Sequence, residues 1–266
     1  MNSPTPRALI DAAHVYEALF VPALFAQWAT KIADATHIQP GQRVLDVACG
    51  TGALAREIAE RIGPTGHVAG VDRNSGMLAV ARELAPHVEW REAVAEALPF
   101  ADQSFDAVVS QFGLMFFTDK LLALREMLRV LVSGGRVTVA VWDSIDTMPA
   151  FATEVAILEK IAGRPAADAL RAPFSLGSRD ELASLFSEAG TTGAEITTHE
   201  GKARFPSICT LVETDLRGWL PMMGVMLSEN EIDRVLLEAE QELSSYVTAD
   251  GQAEFPLSVH LVTLKK

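Results

Sequence analysis

Apolar and polar positions follow two rhythms along this chain. Short apolar runs recur at Arg43–Ala48, His67–Val71, Val88–Arg91, Ala107–Gln111 and Arg136–Trp142. Each is too short for a helix and predicts a strand, with Arg43–Ala48, rich in Val and Leu, a buried one. Between them, apolar residues return every three or four positions in Ala53–Ile62, Ser75–Leu84 and Lys120–Leu131, the spacing of a helix with one apolar stripe. Gly63-Pro64-Thr65-Gly66 and Ser133-Gly134-Gly135 punctuate the pattern as stops. Upstream, Val15, Leu19, Leu24, Trp28 and Ile32 predict a helix over residues 12–36, with a break at Pro22. Strands alternating with helices imply a parallel sheet covered on both faces. Right-handed crossovers then bring the C-terminal ends of those strands to one edge.

After Trp142 the rhythm changes. Pro149–Ala162, Arg179–Ala189, Ile208–Leu220 and Ser228–Tyr246 predict helices, and Ala194–His199 and Phe255–Leu264 predict two last strands. The expected fold is therefore α/β: a doubly wound, mostly parallel, seven-stranded sheet with an inserted helical cap over its functional edge. No apolar run reaches the length of a membrane span. Met1–Ile10 lacks the basic start and apolar core of a signal peptide.

Charge narrows the partners. The formal net charge is −13, and no Lys/Arg run offsets it, so phosphate backbones and anionic membranes are repelled. A small-molecule partner is expected, without nucleic acid and without membrane insertion; the oligomeric state is open. The two cysteines, Cys49 and Cys209, form neither a disulfide framework nor a metal cluster, which points to the reducing cytoplasm.

The most informative stretch is Val44-Leu45-Asp46-Val47-Ala48-Cys49-Gly50-Thr51-Gly52. An apolar strand delivers a carboxylate to a tight glycine turn, and the next helix offers free N–H groups. Asp72 closes the second strand, 20 residues beyond Gly52, where a carboxylate can bond ribose hydroxyls. Gly50-x-Gly52-x-x-Ala55 also fits the dinucleotide fingerprint, so this pair alone leaves a nicotinamide cofactor and another adenosine ligand both open. Neither tyrosine has a lysine four residues on; those positions are Phe20 and Asp250, so the Tyr-Lys pair of short-chain dehydrogenases is absent. The six histidines show no metal-ligand spacing, so no metal is expected, and there is no Gly-x-Ser-x-Gly elbow. Glu154, Glu159, Glu238 and Glu240 read as solvated helix faces.

Over residues 40–142 the chain resembles class I S-adenosylmethionine-dependent methyltransferases, in particular the ubiquinone/menaquinone-biosynthesis-like (type 11) group. The resemblance rests on Val44–Gly52, on Gly70-Val71-Asp72-Arg73-Asn74-Ser75-Gly76-Met77-Leu78, on Ala95–Asp106 with its Leu98-Pro99-Phe100, and on Ser110-Gln111-Phe112-Gly113-Leu114. It implies that Asp46, Ala48, Gly50 and Thr51 hold the methionine moiety, Asp72 the ribose, and Arg73 and Met77 the adenine. Ala95 and Glu96 would border the adenine edge, and Gln111 would lie beside the sulfonium. Ala48 replaces a frequent first glycine, and Val94 stands where an acidic residue usually reads the adenine amine. The resemblance divides the chain into an N-terminal helical lid (1–38), a S-adenosylmethionine-binding core (39–145), and the rest of the sheet with a helical substrate cap (146–266).

The implied reaction moves a methyl group to an O-, N- or C-nucleophile of a small molecule by direct displacement, leaving S-adenosylhomocysteine. Tyr16, Trp28, Phe112 and Trp142 are candidate substrate contacts, and Phe116, Phe117 and Trp219 could also line a pocket. His14, Tyr16, Glu17 and Asp143 could act as a general base, and no single catalytic residue is assigned. The alternatives are an NAD(P)-dependent oxidoreductase and a non-catalytic S-adenosylmethionine-binding protein.

Overall fold

The computed structural model describes residues 5–266. The first four residues of the Met1–Ile10 segment lie outside that range. Seven strands form one sheet: β1 (Arg43–Val47), β2 (His67–Asp72), β3 (Glu89–Glu92), β4 (Phe105–Gln111), β5 (Leu131–Trp142), β6 (Glu195–Phe205) and β7 (Ala253–Lys265), in the order β3-β2-β1-β4-β5-β7-β6. The first five run parallel, and β7 lies antiparallel between β5 and β6. The order reverses between β2-β1 and β4, which opens a crevice at the strands' C-terminal ends. Leu45, Val47, Val108, Val109, Val139 and Val141 are fully buried, as two covered faces require.

The helices are α1 (Arg7–Thr36), α2 (Ala53–Ile62), α3 (Ser75–Leu84), α4 (Lys120–Val130), α5 (Pro149–Ala162), α6 (Arg164–Arg171), α7 (Arg179–Glu188), α8 (Ile208–Thr214) and α9 (Glu229–Glu242). The last five are inserted among β5, β6 and β7. Four differences from the sequence reading have physical causes. First, Pro22 does not break α1. The helix widens to π geometry over Tyr16–Phe25, with Pro22 inside that stretch. Widening removes the clash an α-helical turn would impose on the proline ring. Second, α1 is long and apolar enough by composition to cross a bilayer, although no single apolar run is. Its second half instead packs on the sheet, where Trp28, Ala29, Ile32 and Ala33 are buried.

Third, Ser133-Gly134-Gly135 sits within β5. The register jumps from Phe105–Leu131 to Ala107–Arg136, and Gly134 takes a positive φ to absorb the extra residues. Fourth, β6 and β7 pair well beyond the predicted ends, from Glu195–Thr263 to Phe205–Ala253. Helix α1 supplies the reason. The Gln27 amide donates to the Lys202 carbonyl (2.7 Å) and accepts from the Lys202 N–H (3.0 Å), acting as a strand partner. A Cβ on Gly201 would fall 2.6 Å from the Trp28 ring, so the absent side chain lets the two elements meet.

Arg129 on α4 organises the loop between β3 and β4. Its guanidinium donates to the carbonyls of Leu98 and Phe100 and to the carboxylates of Asp102 and Glu126, while Glu126 accepts the Leu98 N–H at 2.9 Å. Arg129 holds the Glu126 carboxyl below its ordinary range. Phe100 packs edge-on against Phe105 at 4.8 Å. The Leu98-Pro99-Phe100 stretch is thus pinned from below. Arg129→Met should cost about 2–3 kcal/mol, because two half-buried carbonyls lose charged donors. A chemical-denaturation midpoint unchanged from wild type would contradict this.

Candidate functional site

The site begins where β1 runs out. Ala48, Gly50 and Gly52 all adopt positive φ, of 59°, 55° and 84°. Alanine pays about 1–2 kcal/mol for such a backbone, so Ala48 stores strain in the turn. Gly52 is fixed by contact as well, because a Cβ there would lie 2.4 Å from the Trp90 indole. The Cys49 N–H bonds the Val71 carbonyl at 3.0 Å, joining the turn to the end of β2. Asp72 completes the joint: one oxygen accepts the Gly50 N–H and the other the Asn74 N–H, both at 2.8 Å. Asn74 in turn caps α3 by accepting from Gly76 and Met77.

Beneath the turn lies a knot of polar atoms without partners. Asp46 is 1% exposed, and neither carboxylate oxygen makes a hydrogen bond of normal geometry. Thr51 Oγ1 and Gln111 Oε1 are also buried and unpartnered. Together they border a small recess of about 30 Å³. Burial, then the charge of Asp72, push the Asp46 carboxyl well above its ordinary range. Groups so costly to bury are normally satisfied, which marks the recess as a place for a polar ligand.

The recess lies beside a cavity of about 620 Å³ and shares Tyr16, Phe25, Ala48, Gly50 and Gln111 with it. Ala48, Gly50, Asp72, Arg73, Met77, Ala95, Glu96 and Gln111 all border the cavity, so the structure brings these candidates together. Asp46 and Thr51 border only the recess. Glu96 also accepts the Thr118 N–H at 2.7 Å, tying the β3–β4 loop to the start of α4. Val94 lies exposed on the rim.

Aromatic rings make the opposite wall. Phe112 and Trp142 stack at 4.0 Å and 8°. Phe112 holds a positive φ of 56°, a strained backbone that turns its ring toward Trp142 at the end of β4. Tyr16, Phe116, Phe117 and Trp219 border the cavity too. Trp28 does not. It is fully buried behind Phe112 and Trp142, edge-on to both at 6.5 and 6.4 Å, and supports them from the core.

Of the four candidate bases, only Tyr16 borders the cavity. Burial, then the charges of Asp72, Glu17 and Asp46, push its phenol up, so it stays protonated. His14 faces Glu83 at the surface (3.3 Å), and Glu17 accepts from Arg56 (2.6 Å). Asp143 accepts from Ser258 Oγ (2.7 Å) and lies 3.0 Å from His260 Nε2. None of Asp143, Ser258 and His260 lines the cavity; they tie the end of β5 to β7.

Sequence reasoning missed the far end of the cavity. Glu154, expected on a solvated face, is 0% exposed, with neither oxygen hydrogen-bonded. It feels the charge of Asp215, which is 5% exposed, borders the cavity and has an unpartnered Oδ2. Phe151 and Leu158, three before and four after Glu154, are both buried and mark that face as inward; this was the available signal. Burial raises Asp215 to about 8, and burial, then Asp215, push Glu154 well above the carboxylate range.

A carboxyl raised on folding stabilises the fold only while it is protonated. Stability is therefore lost as pH climbs from about 4, the unfolded value, to about 8. The pair Asp215→Asn with Glu154→Gln should melt about 2–8 °C above wild type at pH 8, from a gain of about 1–2 kcal/mol. The difference should narrow at pH 5. Equal melting at both pH values would contradict the assignment.

Comparison with known proteins adds an independent finding. The model of the ubiE/COQ5 methyltransferase family matches residues 17–160. A ubiquinone/menaquinone biosynthesis C-methyltransferase, UbiE of Ectopseudomonas mendocina, is 46% identical over 118 residues, or 42% of this chain; the match spans about half, 46%, of that relative's length. A demethylmenaquinone methyltransferase of Halalkalibacterium halodurans is 33% identical over 192 residues, covering 66% of this chain and 78% of that protein. Among solved structures, a putative methyltransferase from an antibiotic biosynthesis pathway of Anabaena variabilis shares the fold with a TM-score of 0.65 at 16% identity, over 90% of this chain and 97% of that one. A phosphoethanolamine N-methyltransferase of Haemonchus contortus, solved with S-adenosylhomocysteine, has a TM-score of 0.59 at 19% identity, over 95% of this chain and 57% of that one.

Proposed function

Since the chain belongs to the ubiE/COQ5 methyltransferase family, we propose that it transfers a methyl group from S-adenosylmethionine to an apolar, aromatic small molecule. The observation carrying this reading is the recess of unpartnered Asp46, Thr51 and Gln111 atoms opening onto an aromatic cavity. Those atoms fit the donor's chemistry. Buried acceptors await an amino group and a sulfonium, and the Asp72 carboxylate awaits ribose hydroxyls. When bound, the donor supplies a methyl carbon already activated by positive sulfur.

The residues' task is then alignment and exclusion of water. Asp46, Gly50 and Thr51 hold the methionine end. Asp72 holds the ribose, while Arg73, Met77, Ala95 and Glu96 border the adenine. Gln111 steers the sulfonium toward Phe112 and Trp142, which present the acceptor. In this reading α1 forms a lid through Tyr16 and Phe25, and α5 to α9 form the acceptor cap. Of the candidate bases, His14, Glu17 and Asp143 lie off the cavity and Tyr16 stays protonated, so an acceptor that loses its own proton to water suits this wall best. A cavity of about 620 Å³ falls within the range of about 300–1,000 Å³ usual for small-molecule sites. That depth favours catalysis over simple donor storage, and the family match favours the sulfonium donor over a nicotinamide. The two free cysteines agree with a cytoplasmic setting.

Calorimetry should give saturable binding of S-adenosylmethionine and S-adenosylhomocysteine and none of NAD. A methyl-labelled donor should then mark members of a panel of phenols, amines and carbon acids. Binding of NAD alone would overturn the proposal. Donor binding with no labelled product across the panel would leave donor storage as the function.

A further inference from the structure

The far end of the cavity holds a group that donor chemistry does not use. Glu154 on α5 and Asp215, first residue of the π turn Asp215–Trp219 after α8, are both buried in the helical insertion, near enough for the charge of Asp215 to act on Glu154. Both are more than nine-tenths buried, and Asp215 borders the cavity with a partnerless oxygen. Among the described residues, neither carboxyl forms an ion pair with Lys, Arg or His; nearby Arg217 is engaged by Glu229 at 2.7 Å. Two unpaired carboxyls side by side are among the costliest things a core can hold. Around them the cavity wall is aromatic. Phe116 and Trp219 tilt together at 5.3 Å, and so do Phe151 and Phe174. The Trp219 Nε1 is bonded to the Ala169 carbonyl at 2.9 Å, which fixes the ring.

Acid and aromatic faces in one mostly apolar chamber are the surroundings that recognise a cation. We propose that Asp215, backed by Glu154, is the specificity site for a protonated amine on the acceptor, seated at the cap end while another atom of the molecule takes the methyl group. This deepens the methyl-transfer reading and rests on it. The acceptor is then an aromatic amine-bearing compound, with its ring between the Phe112–Trp142 stack and the cap and its ammonium on the carboxyl pair. The ligand cation supplies the positive partner that the protein lacks. It also lets Asp215 ionise beside Glu154.

The test separates this site from the donor site. Calorimetry first measures S-adenosylhomocysteine binding, which must be present for the reading beneath to stand. With that product bound, tyramine and tryptamine are compared with 4-ethylphenol and 3-ethylindole, which have the same rings without the amine. The amines should bind at least about tenfold more tightly, the lower bound for a charge-assisted bond. Asp215→Asn and Glu154→Gln keep side-chain shape, and each should shrink that preference at least threefold. Cooperative melting shows that the variants are folded. S-adenosylhomocysteine binding with no amine preference, or a preference untouched in both variants, overturns the amine site and leaves the donor reading in place. Absence of S-adenosylhomocysteine binding overturns the donor reading itself.

Discussion

Asp72→Ala should lower affinity for S-adenosylmethionine about 30- to 150-fold. The carboxylate ends β2 at the cavity wall, where two acceptor oxygens can take charge-assisted bonds from vicinal hydroxyls. Such bonds are worth about 2–3 kcal/mol together, and each 1.4 kcal/mol is tenfold in binding. The side chain also anchors the Gly50 and Asn74 N–H groups, so its loss loosens the turn that shapes the recess. Asp72→Asn keeps one acceptor oxygen and should recover part of the loss. Titration calorimetry with donor and product gives the answer, alongside a melt to show that the variant is folded. A loss below threefold would remove Asp72 from the donor site.

Gly52→Ala should be strongly destabilising, for two separate reasons. It asks alanine to hold a φ of 84°, and it drives a Cβ to within 2.4 Å of an indole that cannot retreat. Trp90 is pinned by its Nε1 bond to the Ala85 carbonyl at 2.9 Å and lies across Gly70 as well, where an added Cβ would meet it at 2.3 Å. Backbone strain of about 1–2 kcal/mol and overpacking of about 1–3 kcal/mol sum to about 2–5 kcal/mol. Adding Trp90→Leu should relieve the steric share and leave the backbone share. Denaturant midpoints of the single and double variants separate the two. If the second change recovers nothing, the indole is not the obstacle.

The half of the candidate site around Asp46 and Asp72 was legible because its signals are local. A strand, a crowded turn and a strand-end acid follow one another within thirty residues, and each leaves its mark on spacing. The mostly parallel sheet, with its strand ends gathered on one edge, followed from alternation and handedness. What lay beyond reach was depth. The helical period put Trp28 on the correct face of α1 but could not show that Phe112 and Trp142 stand between it and the cavity. A glutamate on an amphipathic helix is ordinarily wet, yet α5 is packed by α6 and α9, which closes over Glu154. Asp215 drew no notice because its meaning depends on a partner 61 residues away. Pro22 misled for a different reason: a proline forbids one helical geometry, and the chain adopted another.

Tyr16, Phe20, Leu24 and Phe25 hang from the π-helical stretch of α1 and roof both ends of the cavity. A widened turn has poorer bonds than an α-helix, and Pro22 contributes no donor to it. This roof is therefore a soft boundary of the chamber. Traffic of bound molecules in and out is expected to pass beneath it, so the pace of each catalytic cycle would follow the breathing of one N-terminal helix rather than the making of a carbon bond.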